Sequence, residues 1–114
     1  MHRSCGVEAR LMTQSRARTS IPVDFEATDV RGTGRIKNLS AQGLFIGTTS
    51  SIPDEGELVH LKFAPPGEPR IHVVGLVWWT TQACPDRAQR SPGFGLRLIE
   101  DSAAYDRAVD RLLA

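Results

Sequence analysis

Six short segments that alternate or concentrate apolar residues, separated by Gly- and Pro-rich breakers at regular spacing, precede one amphipathic stretch at the C-terminus. That order predicts a mainly β fold: a six-stranded antiparallel β-barrel with one C-terminal α-helix covering a barrel opening or edge. At 114 residues the chain is long enough for one domain built on a single core.

The first strand is read over Ile21-Pro22-Val23-Asp24-Phe25-Glu26-Ala27, whose period of two is that of a half-buried strand, with Pro22 near its start. Arg31-Gly32-Thr33-Gly34 carries turn residues, so Arg35 to Leu39 is expected to return as the second strand of a hairpin. Gly43 to Thr49 is a third strand, ended by Ser50-Ser51-Ile52-Pro53-Asp54-Glu55-Gly56. Glu57 to Ala64 alternates again, with Val59, Leu61 and Phe63 on one side. After the Pro65-Pro66-Gly67 turn, Arg70 to Thr80 forms a long apolar strand. Within it Trp78 and Trp79 should face opposite ways, one into the core and the other exposed, on a contact surface or, the favoured place, under the helix. Residues 81–92 are polar and aperiodic, a loop, and Gly93 to Ile99 is the last strand. Asp101 or Ser102 then caps a helix whose apolar stripe is Tyr105, Val109, Leu112 and Leu113.

Fourteen basic and thirteen acidic side chains nearly cancel, which argues against bulk attraction to nucleic acid or to a membrane surface. The basic charge is uneven: Arg3, Arg10, Arg16 and Arg18 face Glu8 alone in the first twenty residues, an arm suited to a phosphate ligand. Cys5 and Cys84 lack metal or redox spacing, and His2, His60 and His72 form no ligand cluster, so no metal site is expected. No apolar run approaches the ~20 residues of a membrane span, and no secretory leader is read, which together predict a cytoplasmic protein without membrane insertion.

The chemistry concentrates at Asn38-Leu39-Ser40-Ala41-Gln42-Gly43, followed by Leu44-Phe45-Ile46, and at the arm Arg16-Ala17-Arg18-Thr19-Ser20 ahead of Pro22-Val23. Asn38 offers an amide donor and acceptor, Ser40 a hydroxyl, and Gly43 a backbone position free of a Cβ clash. These segments resemble the two signatures of the PilZ domain, N/D-x-S-x-x-G and R-x-x-x-R. Later landmarks agree in order and spacing: Gly56 ending a turn, Gly75-Leu76-Val77-Trp78 and Gly93-Phe94-Gly95-Leu96. The resemblance covers residues 12–113 and makes 12–114 the domain, with residues 1–11 a flexible extension.

It implies a receptor for cyclic di-GMP, with ligand-binding residues Arg16, Arg18, Asn38, Ser40 and Gly43, no cofactor, and no enzymatic activity. In that reading Asn38 and Ser40 project from the barrel and hydrogen-bond a guanine, while arm arginines clamp phosphate or purine edges through planar forks that lysine lacks. One departure stands out: the second motif arginine is Ser20, with Arg18 midway along the arm. A lost bidentate arginine–guanine contact is worth about 1–3 kcal/mol, or roughly 5- to 150-fold in affinity. A lone domain of this size passes its signal to a partner protein, as monomer or homodimer. The alternatives are a ligand-independent adaptor of the same family, for instance in motility, and an OB-like binder of single-stranded nucleic acid. Gly32-Thr33-Gly34 and Gly93-Phe94-Gly95 lack the helix and Lys-Ser/Thr of a phosphate loop, and Ser40 has no nucleophile context.

Overall fold

Period-two burial generates the first element of the computed structural model, which describes residues 17–81, 92–100 and 103–113. Strand β1 (Ala17–Glu26) turns Ala17, Ile21, Val23 and Phe25 inward and Arg18, Ser20, Pro22, Asp24 and Glu26 outward. Strands β2 (Arg31–Leu39), β3 (Gly43–Gly47), β4 (Leu58–Phe63), β5 (Ile71–Thr80) and β6 (Gly93–Glu100) follow, and helix α1 (Ala103–Leu113) completes the order. Every pairing is antiparallel. The order β1-β2-β3-β6-β5-β4 closes on itself as a barrel, the expected six strands and one C-terminal helix. Closure gives every strand two neighbours, though β1 meets β4 only over Asp24 to Glu26.

The core fills the barrel with Val23, Phe25, Ile36, Leu44, Ile46, Leu61, Phe63, Val73, Phe94 and neighbours. Each such side chain contributes about 1.5–3 kcal/mol on burial. Phe25 and Phe94 meet edge-to-face at 5.1 Å, a preferred aromatic geometry. Helix α1 adds Tyr105 and Val109 to this core, and Tyr105 stands edge-on to Phe63 at 6.4 Å. Its stripe is completed by Ala108, while Leu112 is only partly buried and Leu113 is 41% exposed, so Leu113 falls outside the expected apolar face.

Two elements begin earlier than their patterns indicate. β1 starts at Ala17, which places Pro22 mid-strand; pairing with β4 covers only Asp24 to Glu26, so Pro22 lies where one side of β1 is open. Arg31-Gly32-Thr33-Gly34 is the start of β2 and not a turn; the turn is at Thr28-Asp29, closed by Ala27 N–H donating to Val30 O at 2.7 Å. The glycine at position 34 serves packing: a Cβ there would lie 2.5 Å from the Gly47 carbonyl oxygen.

The paired tryptophans also depart from simple alternation. The β5–β6 register shifts between Val77 and Trp79, and this bulge resets the inward–outward pattern. Neither tryptophan joins the barrel core. Trp79 stacks on Phe45 (5.2 Å, 16°) in a second cluster on the outer face, with Trp78 packed against it. Gly95 makes room, since a Cβ there would stand 2.0 Å from the Trp79 indole nitrogen.

Candidate ligand-binding site

The N-x-S-x-x-G segment occupies the end of β2, the turn after it, and the first residue of β3. Ser40 N–H donates to the Gly43 carbonyl at 2.8 Å and closes the turn; the Ser40 hydroxyl also donates to that carbonyl at 3.3 Å and accepts from Gln42 N–H at 3.4 Å. Ser40 is 1% exposed. The expectation that it projects from the surface is therefore corrected: its hydroxyl is spent on holding the turn. From the other side the Tyr105 hydroxyl donates to the Ser40 carbonyl at 2.6 Å, tying the helix to the motif.

Gly43 has an equally structural reason. A Cβ there would lie 2.4 Å from the Leu96 carbonyl oxygen, so β3 and β6 approach as they do only because that position is bare. Gln42 and β6 are joined at this point by Leu98 N–H donating to the Gln42 carbonyl at 2.8 Å.

Asn38 faces outward for a reason that periodicity misses. Ile36 and Leu39 are both buried although three residues apart, and the β2–β3 register shifts between Ile36 and Asn38. The extra residue turns Lys37 and Asn38 both away from the core. Asn38 Oδ1 is buried and has no hydrogen-bond partner. An orphaned buried acceptor costs about 1–3 kcal/mol and calls for an explanation, of which a donor supplied by a ligand is one.

Across the ladder, Asn38 pairs with Arg18 on β1 and with Phe45 on β3, and Phe45 pairs onward with Gly95. A row thus runs across the outward side of the sheet from a guanidinium, through an amide, to the Phe45–Trp79 stack, which is itself buried. Beside it Arg97, the cross-strand partner of Gly43, lies over the Trp78 ring at 5.4 Å. A cation and an amide side by side are a chemistry suited to the edge of a purine nucleotide. Of the five candidate residues, the structure brings together Arg18, Asn38, Ser40 and Gly43, whereas Arg16, like Cys5 and Cys84, lies outside the described residues.

A comparison with family models matches residues 10–114 to the PilZ domain. The chain belongs to the PilZ domain family. Searches of curated proteins and of solved structures return no match. PilZ domains are a family of signalling receptors and adaptors associated with cyclic di-GMP, and not a family of enzymes. Among the described residues, no cluster of three or more His, Cys, Asp or Glu is placed to hold a metal ion, and no helix is long and apolar enough to cross a membrane.

The side chain of Ser20, the position expected from the sequence to replace the second arm arginine, is hydrogen-bonded. Arg35 Nη1 donates to the Ser20 carbonyl at 3.0 Å and to its hydroxyl at 3.1 Å. Sequence reasoning passed over Arg35 and Lys37. The available signal was the alternation Arg35-Ile36-Lys37, which puts two cations on the outer face immediately before Asn38.

Proposed function

We propose that this PilZ domain is a cyclic di-GMP receptor that relays ligand binding to a partner protein. One observation carries the reading: the unpartnered, buried Asn38 Oδ1 stands cross-strand from Arg18 on the barrel surface. In this mechanism a guanine edge donates to Asn38 Oδ1, the turn closed by Ser40 and Gly43 holds Asn38 in place, and Arg18 on β1, together with Arg16, contacts the dinucleotide. Ligand contact at these arginines changes the surface that the partner reads.

Titration calorimetry with cyclic di-GMP, using GTP and cyclic di-AMP as controls, tests the reading. Saturable, selective binding is expected, weakened roughly 5- to 150-fold by Arg16→Ala or by Asn38→Ala. Folded protein that takes up no cyclic di-GMP at high concentration would sink it. The second reading, a ligand-independent adaptor, draws on Ser20 standing where the second arm arginine belongs.

A further inference from the structure

Arg35 reaches from β2 to the position where the family's second arm arginine belongs. Its Cα pairs with Pro22, but its guanidinium leans along β1 onto Ser20, toward Arg18. Only Nη1 is used in those contacts; among the described residues Nε and Nη2 make no hydrogen bond, so part of the fork remains open. The same side chain lines, with Lys37, a cleft of about 440 Å³ walled by Thr33, Thr48, Thr49 and Pro92. None of the described residues lining it is acidic. The volume falls within the ~300–1,000 Å³ of small-molecule sites.

Four arginines of the described residues are held in ion pairs, and the two cations of the cleft are not among them. Arg31 is paired with Glu26, Arg70 with Asp24, and Arg107 and Arg111 with Glu68. Arg35 and Lys37 have no carboxylate partner among the described residues. A guanidinium fork and an ammonium on one cleft, with the exposed Thr33 and Thr49 beside them, match a phosphodiester, whose anionic oxygens accept from such donors; the Thr48 hydroxyl is already committed to the Thr33 carbonyl.

We infer that Arg35 supplies from β2 the guanidinium that Ser20 removes from β1, and that Arg35 and Lys37 form a phosphodiester subsite in this cleft. The assignment rests on the receptor reading for its ligand, cyclic di-GMP, but places one phosphate on β2 instead of on the arm. It also explains how the domain tolerates serine in the arm: the function of that arginine has moved to a neighbouring strand.

Calorimetry with cyclic di-GMP on the wild type, Arg35→Ala, Lys37→Ala, Asn38→Ala and the double variant Ser20→Arg/Arg35→Ala tests this. NMR titration with cyclic di-GMP, and separately with inorganic phosphate, accompanies it. Losing charge-assisted hydrogen bonds should weaken binding roughly 10- to 150-fold in Arg35→Ala. The double variant should recover most of that loss, which no indirect effect of Arg35→Ala would predict. Thr48 and Thr49 amides should shift with cyclic di-GMP in the wild type and not in Arg35→Ala. Unchanged melting temperatures are expected, because both cations are exposed.

Cyclic di-GMP binding that needs Asn38 but not Arg35 overturns the inference and leaves the receptor reading standing. Absence of cyclic di-GMP binding, with Arg35-dependent shifts of the cleft amides by phosphate alone, overturns the receptor reading and keeps an anion subsite. No response of the cleft to either probe overturns the subsite itself.

Discussion

Two basic regions of this barrel differ in what their cations face. At the helix end, Glu68 in the β4–β5 connection receives hydrogen bonds from Arg107 at 3.0 and 3.2 Å and from Arg111 at 3.2 Å, and its side chain is only 6% exposed. Arg111 also donates to the Pro66 carbonyl at 2.8 Å. There the charges are consumed in clasping α1 to a loop. Beside Asn38, the exposed cations Arg18, Arg35 and Lys37 face no carboxylate among the described residues, and a buried amide oxygen beside them has no donor. Paired arginines hold architecture, while unpaired ones next to an unsatisfied acceptor form a surface complementary to an anion carrying its own donors.

The sharpest test of the division inside the motif is Gly43→Ala. Because the added methyl meets backbone and not a flexible side chain, overpacking should destabilise the domain by roughly 1–3 kcal/mol, read by urea denaturation. A neutral result would mean that β3 and β6 can separate there, and that this glycine is free to serve a ligand alone. Arg18→Ala should cost a similar amount, but in cyclic di-GMP affinity: about 1–3 kcal/mol with no change in melting temperature. The matched variant Arg107→Ala/Arg111→Ala should do the reverse, lowering the melting temperature and sparing affinity. If both variants moved the same observable, the contrast between the two regions would be lost.

Tyr105→Phe removes the donor to the Ser40 carbonyl and keeps the ring in the core. A loss of roughly 0.5–1.5 kcal/mol is expected in denaturation, together with faster amide exchange in the Ser40–Gly43 turn. Unchanged exchange would show that the helix does not brace the motif.

The smallest effect belongs to pH. The hydrogen bond from Arg107 holds the Glu68 carboxyl below its ordinary 4.5, with the charges of Arg107 and Arg111 acting in the same direction. A depressed carboxylate contributes stability that is fully present above the unfolded value and is lost as pH falls through the folded one. Glu68→Gln should therefore melt lower than wild type at neutral pH, with the gap closing on acidification below about 4.5. A gap that persists in acid would assign the contribution of Glu68 to packing.

The strands were legible because barrel walls face core on one side only, so Val23-Asp24-Phe25 and Val59-His60-Leu61 print a period of two directly into the chain. The motif segment was legible as a family resemblance, yet the work its residues do was not. Ser40 and Gly43 are explained by a turn and a close strand approach, whereas Asn38 retains an unanswered polar atom. Trp78 and Trp79 were misread because a bulge changes parity, and a bulge is set by pairing with another strand.

By itself, then, the sequence determined local matters: which residues alternate, where Pro53 to Gly56 and Pro65 to Gly67 break the strands, and that an amphipathic helix follows the last strand. Each follows from chemistry within a few neighbouring residues. Only the tertiary structure decided that Lys37 and Asn38 both face outward, that Trp79 stacks on Phe45 outside the core, and that Arg35 lies on Ser20 fifteen residues away. Those outcomes depend on strand register, which is chosen by the closing of the whole barrel and not by any segment of it.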